Sequence, residues 1–95
     1  MKEEVDLLVN VMEEIVQGIV RVLMRGPEYQ TFCKCSQCEN DIIALSLNAM
    51  PSHYVTTDKG RKSVFERMNT NENREWINKR IIHSIHIVGK YPHRQ

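Results

Sequence analysis

Apolar residues at the start of the chain recur at alternating steps of three and four: Val5, Leu8, Met12, Ile15, Ile19 and Val22. That period predicts one amphipathic helix over residues 2–24. Leu7, Val9, Val11, Val16, Val20 and Leu23 widen the apolar stripe beyond what one small domain needs. The width points to helix contact between chains, with Gly18 letting a facing backbone come close; an ordinary core helix is the plainer reading. Gly26-Pro27 stops the helix. Residues 28–40 read as a loop, after which Asn40 or Asp41 caps a helix over residues 42–50. That helix is almost wholly apolar, hence central, and Pro51 ends it. Residues 53–57 read as extended and Asp58-Lys59-Gly60 as a turn. A short helix over residues 61–68 turns Val64, Phe65 and Met68 inward, and residues 69–73 are a polar break. A last helix over residues 72–88 lines its inner face with Ile77, Ile81, Ile85 and Val88, and Gly89 and Pro92 close it. The expected fold class is mostly α, with no internal repeat.

A chain of 95 residues makes one domain. A core that small is helped by a metal or a dimer interface. The net charge of +1 hides an asymmetry. Glu3, Glu4, Asp6, Glu13 and Glu14 face Lys2 alone at the acidic end, whereas residues 59–95 carry nine Lys/Arg against three Glu. A basic segment suits an anionic partner such as a nucleotide, a nucleic acid or an acidic protein; the alternative is a set of solvated helix faces. The acidic N-terminus has neither the basic region nor the cleavage site of an export signal, and no apolar run is long enough to span a bilayer. A cytoplasmic location is the expectation.

All three cysteines fall in one stretch, Cys33-Lys34-Cys35-Ser36-Gln37-Cys38. An odd, crowded set argues against a disulfide framework. A CxC pair and a CxxC pair sharing Cys35 can instead wrap three sulfurs around one zinc ion (Zn2+), which thiolates bind tetrahedrally at ~2.3 Å. A free, partly buried thiol cluster is the alternative. His53, just past the intervening helix, is the first candidate for a fourth ligand; His83, His86, His93, Glu39, Asp41 or water remain open. A closed, all-protein site of this kind is structural, not catalytic.

The chain resembles the late competence protein ComFB family. The resemblance is carried by the cysteine block, by Asp41-Ile42-x-Ala44-Leu45-x-Leu47-Asn48 and by Pro51-x-x-Tyr54-Val55, with Tyr91-Pro92-His93 a less specific match. It implies a single ComFB-like domain over residues 1–95. It also implies a small helical homodimer that binds zinc through Cys33, Cys35 and Cys38 and has no enzyme activity. Family members are linked to natural competence and motility control, and some are receptors for cyclic di-AMP or cyclic di-GMP. No motif fixes nucleotide contacts here. Arg61, Lys62, Arg67, Arg74 and Arg80 are the pool from which phosphate and purine contacts would be drawn. Beside a cyclic dinucleotide receptor stand two other readings: a zinc-stabilised protein-interaction adaptor and a nucleic-acid-binding module. Few aromatics and near-zero net charge weigh against the last. No glycine-rich phosphate loop, HExxH or nucleophile–base pair suggests an enzyme.

Overall fold

The computed structural model describes residues 7–90. Chain order is β1 (Val9–Asn10), α1 (Val11–Met24), a 3-10 turn (Pro27–Tyr29), α2 (Ser36–Asn48), β2 (Tyr54–Val55), α3 (Asp58–Met68) and α4 (Asn71–Lys90). The mostly helical expectation holds. Helix α2 packs between α1 and α4, and the core runs through Met12, Val16, Val20 and Met24, Ile42 and Ile43, and Ile77, Ile81 and Ile85.

The first helix begins later than its periodicity suggests. Residues 2–6 lie outside the described residues, and Val9–Asn10 are extended, pairing antiparallel with Tyr54–Val55. Asn10 makes the switch. Its backbone is extended, and its Oδ1 accepts from the N–H of Met12 at 3.2 Å and that of His53 at 2.8 Å. One side chain thus caps α1 and ties the approach to β2. We predict that Asn10→Ala lowers the unfolding free energy by about 1–2 kcal/mol in urea titrations. A change within a few tenths would mean that water replaces both bonds.

The buried face of α1 is also rotated from the expected one. Val11, Met12, Val16, Val20 and Met24 are buried, Ile15 and Ile19 only partly so, and Leu8 and Val22 stand 72% and 69% exposed. An apolar stripe this broad fits two phases, and contact with α2 and α4 selects one.

Helix α2 starts inside the cysteine block, not at residue 42. Cys35 is its N-cap, and Asn40 and Asp41 lie within the helix. Similarly, Asp58-Lys59-Gly60 is the first turn of α3, because Thr57 Oγ1 accepts from Gly60 N–H at 3.0 Å. Helix α4 matches its expected inner face: Ile77, Ile81 and Ile85 are buried and Val88 packs partly against them.

Arg61 and Glu14 fasten α3 to α1. The guanidinium donates Nε–H and Nη2–H to both carboxylate oxygens at 2.8–3.2 Å and lies 5.3 Å from the Phe65 ring centroid. The hydrogen bonds from Arg61 hold the Glu14 carboxyl below its ordinary value against a smaller opposing effect of burial, and the arginine charge adds to them. A carboxylate depressed in this way stabilises the fold above its unfolded pKa of ~4.3, and that contribution fades as pH falls through the lower folded value. Glu14→Gln should therefore melt below wild type at neutral pH, with the gap closing on acidification. A gap that persists in acid would assign the loss to packing.

Candidate metal centre

The chain leaves α1 at Gly26-Pro27, makes the 3-10 turn, and is folded back on itself by Lys34. The Lys34 ammonium donates to the carbonyls of Tyr29 at 2.6 Å, Gln30 at 3.2 Å and Phe32 at 3.5 Å. Three backbone acceptors around one cation close the loop and set Cys33 and Cys35 on either side of it. Phe32 anchors the loop to the end of α4. Its ring lies so close to Gly89 that a Cβ there would meet it at 2.5 Å, so any larger residue would push the ring off the helix end. Tyr29, Phe32 and His86 stack edge to face with ring centroids 5.2–5.8 Å apart. An ion pair of Arg21 with Glu39 at 4.0 Å adds a peripheral tie between α1 and α2.

In this frame the sulfurs of Cys33, Cys35 and Cys38 all lie within 4.8 Å of one another. Three thiolates on one tetrahedral zinc stand ~3.8 Å apart, given Zn–S bonds of ~2.3 Å. Small side-chain rotations close the difference, so the donor set fits the ion. Cys38 is buried, and Cys33 and Cys35 are half-buried. The Cys35 thiol is pushed below its usual value, chiefly by the N–H of Cys38 donating to its Sγ at 3.4 Å. Partial burial opposes this shift, while the thiols of Cys33 and Cys38 and the Gln37 N–H reinforce it. Cys35 is the hub of the cluster. It joins the other two thiols and receives the amide field of the α2 N-terminus, which favours a thiolate.

Among the described residues the set within that distance is the three cysteines alone. His53 is not brought to them. The whole of α2 separates it from Cys35, a span of ~20 Å for a helix of that length, and its backbone is fixed beside Asn10 and Val11. Its Nδ1 is buried without a hydrogen-bond partner among the described residues. His86 is held in the aromatic group, His83 is exposed on α4, and His93 lies outside the described residues.

The cationic residues are spread over α3 and α4. Arg61 is committed to Glu14. Lys62 and Arg67 are exposed on α3. Arg74 donates to the side-chain carbonyls of Asn69 and Asn71, both at 3.3 Å. The Arg80 guanidinium lies 3.8 Å from the centroid of the exposed Trp76 ring. Sequence reasoning passed over Trp76, although its i,i+4 spacing from Arg80 is the signal for such a pair. Of the five cations, only Arg74 lines an open apolar groove of about 700 Å³ between α1, α3 and α4. Its floor includes Ile15, Gly18, Ile19, Val22, Phe65 and Met68.

The family model described as late competence development protein ComFB matches residues 9–92. Among solved structures, this chain is similar to the late competence protein ComFB from Bacillus subtilis, with 26% identity and a TM-score of 0.76 over 90% of this chain and 94% of that one. No curated protein matches.

Proposed function

Because this chain belongs to the late competence development protein ComFB family, we propose that it is a zinc-stapled homodimeric regulatory protein that receives a cyclic dinucleotide. Cys33, Cys35 and Cys38 would hold the metal, and the convergence of their sulfurs is the observation that carries this reading. Zinc there would supply no reaction; it would lock the loop to the start of α2. The role is binding, not catalysis. No helix among the described residues is long and apolar enough to cross a membrane, which is compatible with a cytoplasmic regulator.

The apolar groove supports a second copy of the chain as partner. A Cβ on Gly18 would meet nothing within 4 Å among the described residues, so no contact among them calls for glycine there. Mid-helix glycine still costs ~0.8–1 kcal/mol relative to alanine. Close approach of another helix would account for it. Charge agrees, because α1 carries the exposed Glu13 in its first turn and the exposed Arg21, only loosely paired with Glu39 at 4.0 Å, in its last. Two α1 helices running antiparallel across Gly18 set opposite charges side by side.

For the ligand, cyclic di-AMP or cyclic di-GMP, the exposed Trp76–Arg80 pair offers a stacking face and a cation together. Lys62 and Arg67 are the further exposed cations of the pool. Arg61 is the least available, since releasing it would break its bidentate bond to Glu14. Calorimetric titration of the zinc-loaded protein with each cyclic dinucleotide, against mononucleotide controls, tests this. Micromolar or tighter binding that weakens in Arg80→Ala is expected. No heat with either ligand would reject the receptor. The same apolar groove would then favour a zinc-stabilised adaptor whose melting temperature no small ligand shifts.

A further inference from the structure

We propose that Cys35 and Cys38 are a convertible pair: peroxide joins them in a disulfide and thereby expels the metal. The inference rests on the metal reading and adds its regulation.

Position assigns the pair. Cys35 is the N-cap of α2, and Cys38 stands three residues on, in its first turn, with its N–H on the Cys35 sulfur at 3.4 Å. A CxxC placed this way, with the first cysteine accessible and the second covered, is the arrangement of dithiol redox motifs. Here Cys35 is half-buried and Cys38 is 1% exposed. Peroxide reaches the first sulfur from solvent, while the second is shielded from outside thiols and from over-oxidation.

Geometry selects this pair over Cys33–Cys35. Residues three apart across a helical turn have Cα atoms ~5 Å apart, well inside the ~4.4–6.8 Å that a disulfide spans. Cys33 lies in the loop before α2, where no helical turn fixes its distance from Cys35. All three sulfurs start within 4.8 Å, so side-chain rotation within the first turn of α2 can bring the Cys35 and Cys38 sulfurs to bonding distance.

The chemistry balances. The Cys35 sulfur attacks one peroxide oxygen, the O–O bond breaks, and hydroxide leaves and takes a proton to become water. The resulting Cys35 sulfenic acid is attacked by the Cys38 sulfur. The S–O bond breaks, the S–S bond forms, and a second water leaves. Two thiols and one hydrogen peroxide become one disulfide and two waters; both sulfurs are oxidised and both oxygens reduced. In the metal-bound protein each thiolate that enters the disulfide leaves the ion, and Cys33 alone does not retain it.

The test is peroxide titration of the zinc-loaded wild-type protein, read three ways: zinc appearing on a chromogenic chelator, peptide mapping of the disulfide, and recovery with a dithiol reductant. Expected are one Cys35–Cys38 crosslink and one zinc released per chain, in step, with both reversed by reductant and added zinc. Cys33→Ala should still form the crosslink, and Cys38→Ala should not. A Cys33–Cys35 crosslink, an intermolecular disulfide, or sulfinic acid on Cys35 as the main product would overturn the proposal. So would crosslinking with the zinc retained. Zinc content before oxidation separates the two readings. A protein that never binds zinc refutes the metal centre, and the coupling with it, whereas one that binds zinc and fails to crosslink refutes only the redox step.

Discussion

Cys35→Ser is expected to abolish stoichiometric zinc binding and to lower the melting temperature by about 15–30 °C in zinc-containing buffer. At free zinc a thousandfold above the dissociation constant, the metal adds ~4 kcal/mol to folding. In a domain of this size each kcal/mol is worth ~4–8 °C. The substitution isolates the metal because serine is itself a good N-cap. Its hydroxyl can take the Cys38 N–H that the Cys35 sulfur now accepts, so the start of α2 is kept while the thiolate is lost. Wild-type protein stripped with a chelator should melt with the variant, and adding zinc back should separate them again. A variant that melts with zinc-loaded wild type would end the structural-metal reading. Alanine in place of serine should cost about 1 kcal/mol more, the value of the cap itself.

The same residue marks where the sequence could be read and where it could not. The cysteine spacing announced a cluster of three sulfurs that could hold a metal. It concealed the helix start, because cysteine is not among the residues usually looked for at an N-cap, and Asn40 and Asp41 are. The inner face of α4 was legible, since its stripe of Ile77, Ile81 and Ile85 is narrow and admits one phase, but its ends were not: the helix starts at Asn71, inside the expected polar break, and runs past Gly89 to Lys90. Helix α1 was legible as a helix but not in phase, since apolar residues cover most of its circumference and its neighbours decide which are buried. The extended segment over residues 53–57 was legible and holds β2, but its partner Val9–Asn10 was hidden because a two-residue strand carries no periodicity. It exists through backbone pairing and Asn10, whose partner His53 is 43 positions away. Distance along the chain also hid the fate of Arg61. A cation in a basic run looks free for phosphate until Glu14, 47 positions earlier, is found in its grasp. His53 is near the cysteines in sequence, but the helix between them sets them at its opposite ends, and the close set among the described residues holds the three cysteines alone.

Val22→Asp should convert a dimer to monomers while leaving the monomer folded. Val22 is 69% exposed and lines the groove, so the isolated chain gives up almost no burial when it is replaced. In a two-fold pairing through α1, each copy loses ~1.5 kcal/mol of apolar burial and gains a similar penalty for a desolvated carboxylate. Symmetry doubles the sum to about 6 kcal/mol, or roughly four decades in dissociation constant. Light scattering across a dilution series reads this directly, and circular dichroism confirms that the helices remain. Gly18→Ala supplies a test of opposite sign. It should stabilise the monomer by ~0.8–1 kcal/mol through helix propensity, because the added methyl meets nothing among the described residues. It should nonetheless weaken the dimer, because the same methyl enters the close helix contact. Stabilisation of both species would mean that α1 does not cross its twin at Gly18. An unchanged dimer in Val22→Asp would mean that the groove is not the seam, and the apolar surface would then belong to a different partner.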